Sequence, residues 1–129
     1  MRRHGAIVVR GGTKRDIAML RDDIKDAMEQ GYGPVLSTFA DNTRDGESRQ
    51  ETIHRICASS DIPHGKIQVS TVQTLTDAGL PPTPHVEEDW PEMHCHVTFG
   101  IPISDRQIQG FVEAFDEPIA NPTGGKKTR

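Results

Sequence analysis

The amino-acid sequence predicts an α+β domain, a two-layer sandwich in which about three helices pack on a four-stranded mixed sheet, as a variant of the ferredoxin-like arrangement. Two observations predict this class. Short apolar segments of strand character alternate along the chain with segments whose apolar residues recur at helical spacing. Two of the strand candidates also alternate in polarity, which is typical of a sheet with one face that is more exposed to solvent. A small three-layer α/β sheet is the alternative.

Four segments have the composition of strands: residues 4–10, 35–40, 66–75 and 94–101. The first has an apolar centre and predicts a strand that is covered on both sides. The third alternates at Ile67 and Val69 and shifts phase at Val72, which predicts a bulge. A right-handed crossover through the first helix would make the first two strands parallel.

Three helices are predicted because a pair of capping residues precedes each stretch of periodic apolar residues. The capping pairs are Thr13 with Asp16, Ser48 with Glu51, and Ser104 with Gln107. The last helix has the clearest apolar stripe, formed by Ile108, Phe111, Val112 and Phe115. Residues 76–93 show no periodicity and form a long proline-containing connection, and connections of this length are usually functional or flexible.

Length and composition limit the classes of protein that the chain fits. Its 129 residues suit one domain, which we assign to residues 1–119, followed by a disordered basic tail at 120–129. No apolar run approaches the roughly 20 residues of a membrane span, and no signal peptide is expected. Two cysteines make no disulfide framework, so we expect a cytoplasmic protein. The net charge of −4 argues against binding of duplex DNA, and the apolar content of 33% suggests a thin core that a homodimer could supplement.

The segment Pro-Glu-Met-His-Cys-His-Val-Thr-Phe-Gly at residues 91–100 carries the most functional information. On a strand, alternate residues lie on opposite faces. One face would carry His94, His96 and Thr98, and the other would carry Cys95, Val97 and Phe99. Because the second set must enter the core, we expect the imidazoles and the hydroxyl to face solvent, a cleft or a partner.

This segment resembles half of the signature of the 2H phosphoesterases, in which a His-x-Thr lies on a strand before a helix. His96 and Thr98 match the two positions. The resemblance implies that His96 acts as a general acid or base and that Thr98 holds a phosphate oxygen, with His94 as a helper. The family uses two such motifs and this chain has one, so the second histidine would come from a second copy in a dimer, from His94 or from His64.

A phosphate-binding position is also predicted where the first strand meets the first helix. Gly11, Gly12, Thr13 and Lys14 stand at this junction. Glycines before a helix allow backbone N–H groups to converge on an anion, and a lysine adds positive charge. The spacing is not that of a P-loop.

Three interpretations of function therefore stay open. The first is a protein that binds a phosphate ester or a nucleotide, with phosphodiesterase activity as its sharpest form. The second is a partner-binding or regulatory domain that uses the acidic loop 85–92 with Trp90. The third is a divalent metal site at His94 and His96, with further ligands from among His85, Glu87, Glu88, Asp89 and Cys95. No cofactor or definite metal ligand set is assigned from the sequence.

Overall fold

The computed structural model describes residues 6–85 and 92–124. These residues form one sheet and the helices that cover it. In chain order the elements are β1 (Ile7–Gly11), α1 (Ile17–Glu29), β2 (Val35–Asp41), α2 (Arg49–Ser59), β3 (Lys66–Thr71), α3 (Val72–Asp77), β4 (Pro82–Pro84), β5 (His94–Thr98), α4 (Asp105–Ala114) and β6 (Ile119–Ala120). The strands lie side by side in the order β4-β5-β2-β1-β3-β6, and every neighbouring pair is antiparallel.

The α+β class is confirmed, but the predicted four-stranded mixed sheet with about three helices is wrong. The described residues form a six-stranded antiparallel sheet with four helices. The direction of β2 explains part of the difference. Gly31 and Gly33 follow α1 with φ angles of 92° and 90°, a conformation that glycine adopts without steric cost. They turn the chain so that β2 starts at the sheet end where β1 stops, and the first two strands are antiparallel.

Two further differences arise from short elements that the periodicity did not reveal. The phase shift at Val72 is the start of α3 and not a bulge, since the side chain of Thr71 accepts a hydrogen bond from the Thr74 N–H and caps that helix. Within the connection, residues 82–84 form strand β4 at the edge of the sheet. Proline is tolerated at an edge because the outer N–H has no strand to bond.

Helices cover both faces of the sheet, in place of the two layers that were expected. On one face, Val8, Leu36 and Val97 pack with apolar residues of α1, α3 and α4. On the other face, Val9 and Ile67 pack with apolar residues of α2. The prediction that the first strand is covered on both sides is therefore confirmed. All four members of the apolar stripe of the last helix, Ile108, Phe111, Val112 and Phe115, are buried as their spacing indicates.

The helix starts follow local hydrogen-bonding rules. At α2, the Ser48 side chain accepts from the Glu51 N–H at 3.0 Å and the Glu51 carboxylate accepts from the Ser48 N–H at 2.8 Å, so this capping box is confirmed. At α1 the capping residue is Asp16 and not Thr13. At α4, Ser104 caps the helix. The Gln107 Oε1 accepts from the Gly100 N–H at 2.7 Å instead of from Ser104, so the predicted capping box does not form.

The end of the described chain is tied to the sheet. Strand β6 pairs with β3, and the predicted domain boundary at residue 119 falls within β6. Asn121 is buried and its side-chain amide donates to the carbonyls of Ile62 and His64 at 3.2 and 2.8 Å. Among the described residues, no helix is long and apolar enough to cross a membrane.

An ion-pair network ties α2 to the end of β2. Arg55 donates to Asp41 at 2.6 Å and to Glu47 at 2.8 Å. The hydrogen bond from Arg55 is the main cause that lowers the pKa of Glu47 from 4.5 to about 2. A carboxyl group whose pKa is lower in the folded state stabilises the fold above its unfolded pKa, and that contribution is lost as the pH falls toward the folded pKa.

We therefore expect the free energy of unfolding to decrease between about pH 5 and pH 2, and part of this decrease to disappear in Glu47→Gln. Urea unfolding across this pH range measures the effect. Glu113→Gln on α4 is the control, because this carboxylate forms no ion pair with another described residue, and the variant should keep the wild-type slope. Equal slopes for all three proteins would contradict the assigned role of Glu47.

Candidate functional site

Strand β5 has one apolar face and one face of histidines, as its alternation predicts. Cys95, Val97 and Phe99 lie in the core cluster beneath α1, α3 and α4. His94 and His96 lie on the opposite face, where His94 is fully buried and His96 is 7% exposed. Thr98 lies at the end of β5 and is exposed. The sequence therefore predicted the faces correctly, but it did not indicate how deeply the two histidines are covered.

A third histidine covers the first two. His85 directly follows β4, and its backbone N–H donates to the carbonyl of His94 at 2.9 Å. Its ring stacks on the ring of His96 with centroids 4.1 Å apart and planes 19° apart, and it meets the ring of His94 at 5.3 Å. Strand β4 thus positions His85, because its pairing with β5 fixes the residue that follows it.

These three residues, His85, His94 and His96, form what we call the histidine cluster. One ring nitrogen from each lies within 4.8 Å of the others. The Nδ1 atoms of His85 and His94 are 3.3 Å apart. Four-coordinate zinc with nitrogen ligands at about 2.0–2.1 Å separates its ligand atoms by roughly 3.3–3.4 Å. The spacing of this pair is therefore already that of two ligands on one ion.

Strand β2 supplies the polar and aromatic surroundings of the cluster. Ser37 is paired with His96 in the sheet, and its Oγ lies 3.0 Å from Nε2 of His94. Phe39 packs against His94 with ring centroids 5.4 Å apart. Tyr32, in the turn before β2, meets both His85 and His96 edge to face at 5.7 and 5.8 Å. Ser37 thus holds His94 by a hydrogen bond, while the aromatic rings fix the rotations of the imidazoles.

A cleft of about 380 Å³ opens beside the histidine cluster. Its walls include His96, Ser37 and Tyr32 from the surroundings of the cluster, together with Arg10 and Gly11 at the end of β1. His64, in the connection before β3, lies on the far wall. We call this space the β1–β2 cleft. It gives His96 access to a ligand, and it brings His64 to the same surface.

The structure separates the four residues of the predicted phosphate-binding junction. Gly11 lines the β1–β2 cleft. The Gly12 N–H donates to the carbonyl of Lys66 at 2.8 Å, and the Lys14 ammonium pairs with Asp23 at 3.0 Å. Thr13 lies four residues before the start of α1 at Ile17, and the carboxylate of Asp16 accepts the N-terminal hydrogen bond of that helix. Of the four, Gly11 is therefore the one that the structure brings to the cleft.

Other candidates lie away from the cluster or outside the described residues. The side chain of Cys95 faces the core, opposite the histidines. Cys57 lies on α2 and is buried in the core cluster between α2 and the sheet, and burial raises the pKa of its thiol to about 11, so it carries little thiolate at neutral pH. Residues 86–91, which include Glu87, Glu88, Asp89 and Trp90, lie outside the described residues, and the proposed contact loop is therefore not described.

Two residues of the site escaped the sequence interpretation. Ser37 shares the histidine face of the sheet, and Tyr32 stands before β2 in a glycine-rich turn. The alternation of β2 could have placed Ser37 on one face with Val35 and Phe39. Only the pairing of β2 with β5, which the sequence does not state, shows that this face is the one that carries the histidines.

Comparisons with known proteins add no relatives: no family model, no curated protein and no solved structure matches this chain.

The close packing of His64 on Gly11 can be tested by adding one methyl group. A Cβ at Gly11 would overlap the imidazole of His64. His64 is exposed, so its imidazole can turn away, and we expect Gly11→Ala to displace that ring while changing the free energy of unfolding by less than about 1 kcal/mol. Gly110→Ala on α4 is the control, since nothing lies within 4 Å of its added Cβ, and alanine should stabilise that helix by roughly 0.5–1 kcal/mol. NMR spectra of the His64 ring measure the displacement and urea denaturation measures the stability of both variants, and an unmoved His64 ring in Gly11→Ala would contradict the packing described.

Proposed function

We propose that this protein binds a divalent transition-metal ion, with zinc as the best fit, through His85, His94 and His96. The observation that carries the proposal is the convergence of one ring nitrogen from each histidine within 4.8 Å. Two imidazoles on β5 and one directly after β4 form a donor set that zinc, copper, nickel and iron accept. This is the metal interpretation of the sequence, with His85 in place of the acidic loop residues as the third ligand.

The surroundings of His94 suit a role as ligand. Its Nδ1 lies 2.9 Å from the carbonyl of His85, and its Nε2 lies 3.0 Å from Ser37 Oγ. Without a metal, Nδ1–H can donate to the carbonyl while Nε2 accepts from the hydroxyl. If the proton resides on Nε2, that nitrogen donates to Ser37 and Nδ1 offers its lone pair to a metal. Such a hydrogen bond orients a ligating imidazole and raises its basicity.

Three protein ligands would leave coordination positions for water or for a substrate. Zinc sites with three protein ligands and one open position are typically catalytic, whereas structural sites have four. A bound ion of this kind supplies a water of lowered pKa and a Lewis acid. His96 belongs to both the histidine cluster and the β1–β2 cleft, so an open position on this side would be accessible to a ligand in the cleft. We therefore propose a hydrolytic site.

Calorimetric titration of the untagged protein with zinc measures the binding directly. We expect one zinc ion per chain in the wild type. His94→Ala and His96→Ala should each weaken binding by at least about tenfold, because each removes a ligand. His54→Ala removes an exposed histidine on α2 and should bind zinc like the wild type. If the two cluster variants bind zinc as tightly as His54→Ala does, the proposed ligand set is wrong.

Cobalt substitution tests the geometry of the same site. A Co²⁺ ion held by three imidazoles and one water should give the intense visible absorption of a four-coordinate complex, since regular octahedral cobalt absorbs weakly. Added azide should shift the bands if a position is open to exogenous ligands. A weak, azide-insensitive spectrum would contradict an open three-histidine site.

The affinity for zinc should fall as the pH is lowered from 7.5 to 5.5. Imidazole binds metal only in its neutral form, so protons compete with the ion for the ring nitrogens. Competition against a chromophoric chelator, corrected for the chelator's own protonation, measures the apparent dissociation constant at each pH. An affinity that is independent of pH over this range would exclude histidine ligation.

A metal-independent phosphodiester reaction is a second candidate, supported by the presence of both His64 and His96 on the walls of one cleft. His64 would take the role of the second histidine that the 2H resemblance requires, with Thr98 beside His96. Hydrolysis of a 2′,3′-cyclic nucleotide before and after chelation separates the candidates. Activity that survives EDTA and is lost in both His64→Ala and His96→Ala favours this second candidate, whereas activity that requires zinc favours the first.

A further inference from the structure

The β1–β2 cleft exists because two neighbouring strands separate. β1 and β2 are paired over three positions, from Ile7 with Asp41 to Val9 with Phe39. Beyond Val9, β1 remains paired with β3 as far as Gly11, and β2 remains paired with β5 as far as Val35. Each strand therefore continues beside its other neighbour while the space between the two opens. The cleft is a gap within the sheet itself.

The separation directs backbone polar groups into the cleft. In an antiparallel strand, successive residues direct their N–H and C=O groups to opposite neighbours. The Gly12 N–H bonds to β3 through Lys66, and the Ala40 N–H bonds toward β5 through Met93. By this alternation, the N–H and C=O groups of Gly11 on β1 point toward β2, and those of Ser37 on β2 point toward β1. With the strands apart, two N–H donors become available to a ligand in the gap.

Arg10 adds a buried positive charge to the same cleft. The residue is 7% exposed, and its guanidinium lies 5.2 Å from the ring centroid of Phe111. Its Nη1 donates to the carbonyl of Lys14 at 2.9 Å and to the side-chain carbonyl of Gln68. Both acceptors are neutral. Among the described residues, no carboxylate forms an ion pair with Arg10, although ion pairs of several other arginines are present.

A buried cation with neutral partners carries a desolvation cost that an anion would offset. Burial lowers the pKa of Arg10 to about 10, while the charge of Asp23 opposes this effect. Among the described residues, both hydrogen bonds of the guanidinium use Nη1, and its Nε and Nη2 donors have no acceptor there. The fork formed by two guanidinium nitrogens matches the oxygens of a phosphate.

The remaining walls offer groups for the rest of a ligand. Helix α1 contributes Asp23, Asp26 and Gln30, whose oxygens accept hydrogen bonds from hydroxyl groups. The rings of Tyr32 and His64 also line the cleft. The cleft thus combines a buried cation and N–H donors with carboxylate and amide acceptors. This pairing suits a molecule with a phosphate at one end and hydroxyl groups beside it.

We propose that the β1–β2 cleft binds a small hydroxylated phosphate ester, with its phosphate against Arg10 and the N–H groups of Gly11 and Ser37. The hydroxyl groups bond to the acceptors of α1. This inference rests on the proposed function in one respect: His96 joins the cleft to the histidine cluster, so a bound metal ion would add charge next to the ester. Binding of the phosphate by Arg10 and the two N–H groups does not require the ion.

Titration of the zinc-free protein with ribose 5-phosphate, a hydroxylated phosphate ester, tests the inference separately from the metal proposal. We expect saturable binding by calorimetry, weaker binding of inorganic phosphate and no binding of ribose. Arg10→Gln should weaken the binding of ribose 5-phosphate at least about tenfold, since charged hydrogen bonds contribute this much. Arg49→Gln, which removes an arginine of α2 that is paired with Asp116, should bind like the wild type. Equal losses in the two variants would overturn the inference.

A measurement on the wild-type protein keeps the test decisive if Arg10→Gln does not fold. In amide NMR spectra of isotopically labelled protein, ribose 5-phosphate should shift the resonances of Gly11 and Ser37 most strongly, and those of Gly110 on α4 should stay unchanged. Unchanged Gly11 and Ser37 resonances at millimolar ligand would overturn the inference. If the wild-type protein binds the ester but no zinc, the cleft is supported and the zinc proposal fails, whereas zinc binding without ester binding would refute the cleft alone.

Discussion

The candidate site depends on the fact that β5 has one apolar face and one face that carries the histidines. Cys95, Val97 and Phe99 are buried among the residues of α1, α3 and α4, and this burial fixes the strand's orientation. A shift of one residue in register would exchange the faces and place two imidazoles in an apolar core, where unpaired polar groups are costly. The hydrophobic effect on one face therefore holds His94 and His96 together on the other.

Hydrogen bonding explains why a polar cluster is tolerated in a nearly closed space. His94 is fully buried, yet its two ring nitrogens have partners in the carbonyl of His85 and the hydroxyl of Ser37. His85 covers the pair because β4 joins the sheet beside β5, and Tyr32 closes the arrangement at its rim. Hydrogen bonding thus offsets the desolvation of the rings. The cluster is held by short strands and turns around a rigid sheet, which is where binding residues are commonly found.

The opening between β1 and β2 links this cluster to the rest of the molecule. Both strands keep a full neighbour on their outer side, so the sheet can open at one end without losing its continuity. Gly11 permits the close approach of His64, because a larger residue would overlap that imidazole. Arg10 lies beside the opening with its charge against neutral partners. The proposed metal site and the proposed anion site would therefore lie next to each other at one end of the sheet, and His96 belongs to both.

The sequence by itself determined the features that depend on near neighbours in the chain: the two faces of β5, the apolar stripe of α4 and the capping box of Ser48 with Glu51. It identified His94 and His96 as the pair most worth attention, with His85 among the residues that could join them. Tertiary structure decided the strand order, the antiparallel direction of β2, the small strands β4 and β6, and the positions of Ser37, Tyr32 and His64 around the histidines. The reason is physical. Periodicity and capping are encoded within a few residues, whereas pairing between distant strands depends on how several helices and turns share two sheet faces, and no local pattern specifies that choice.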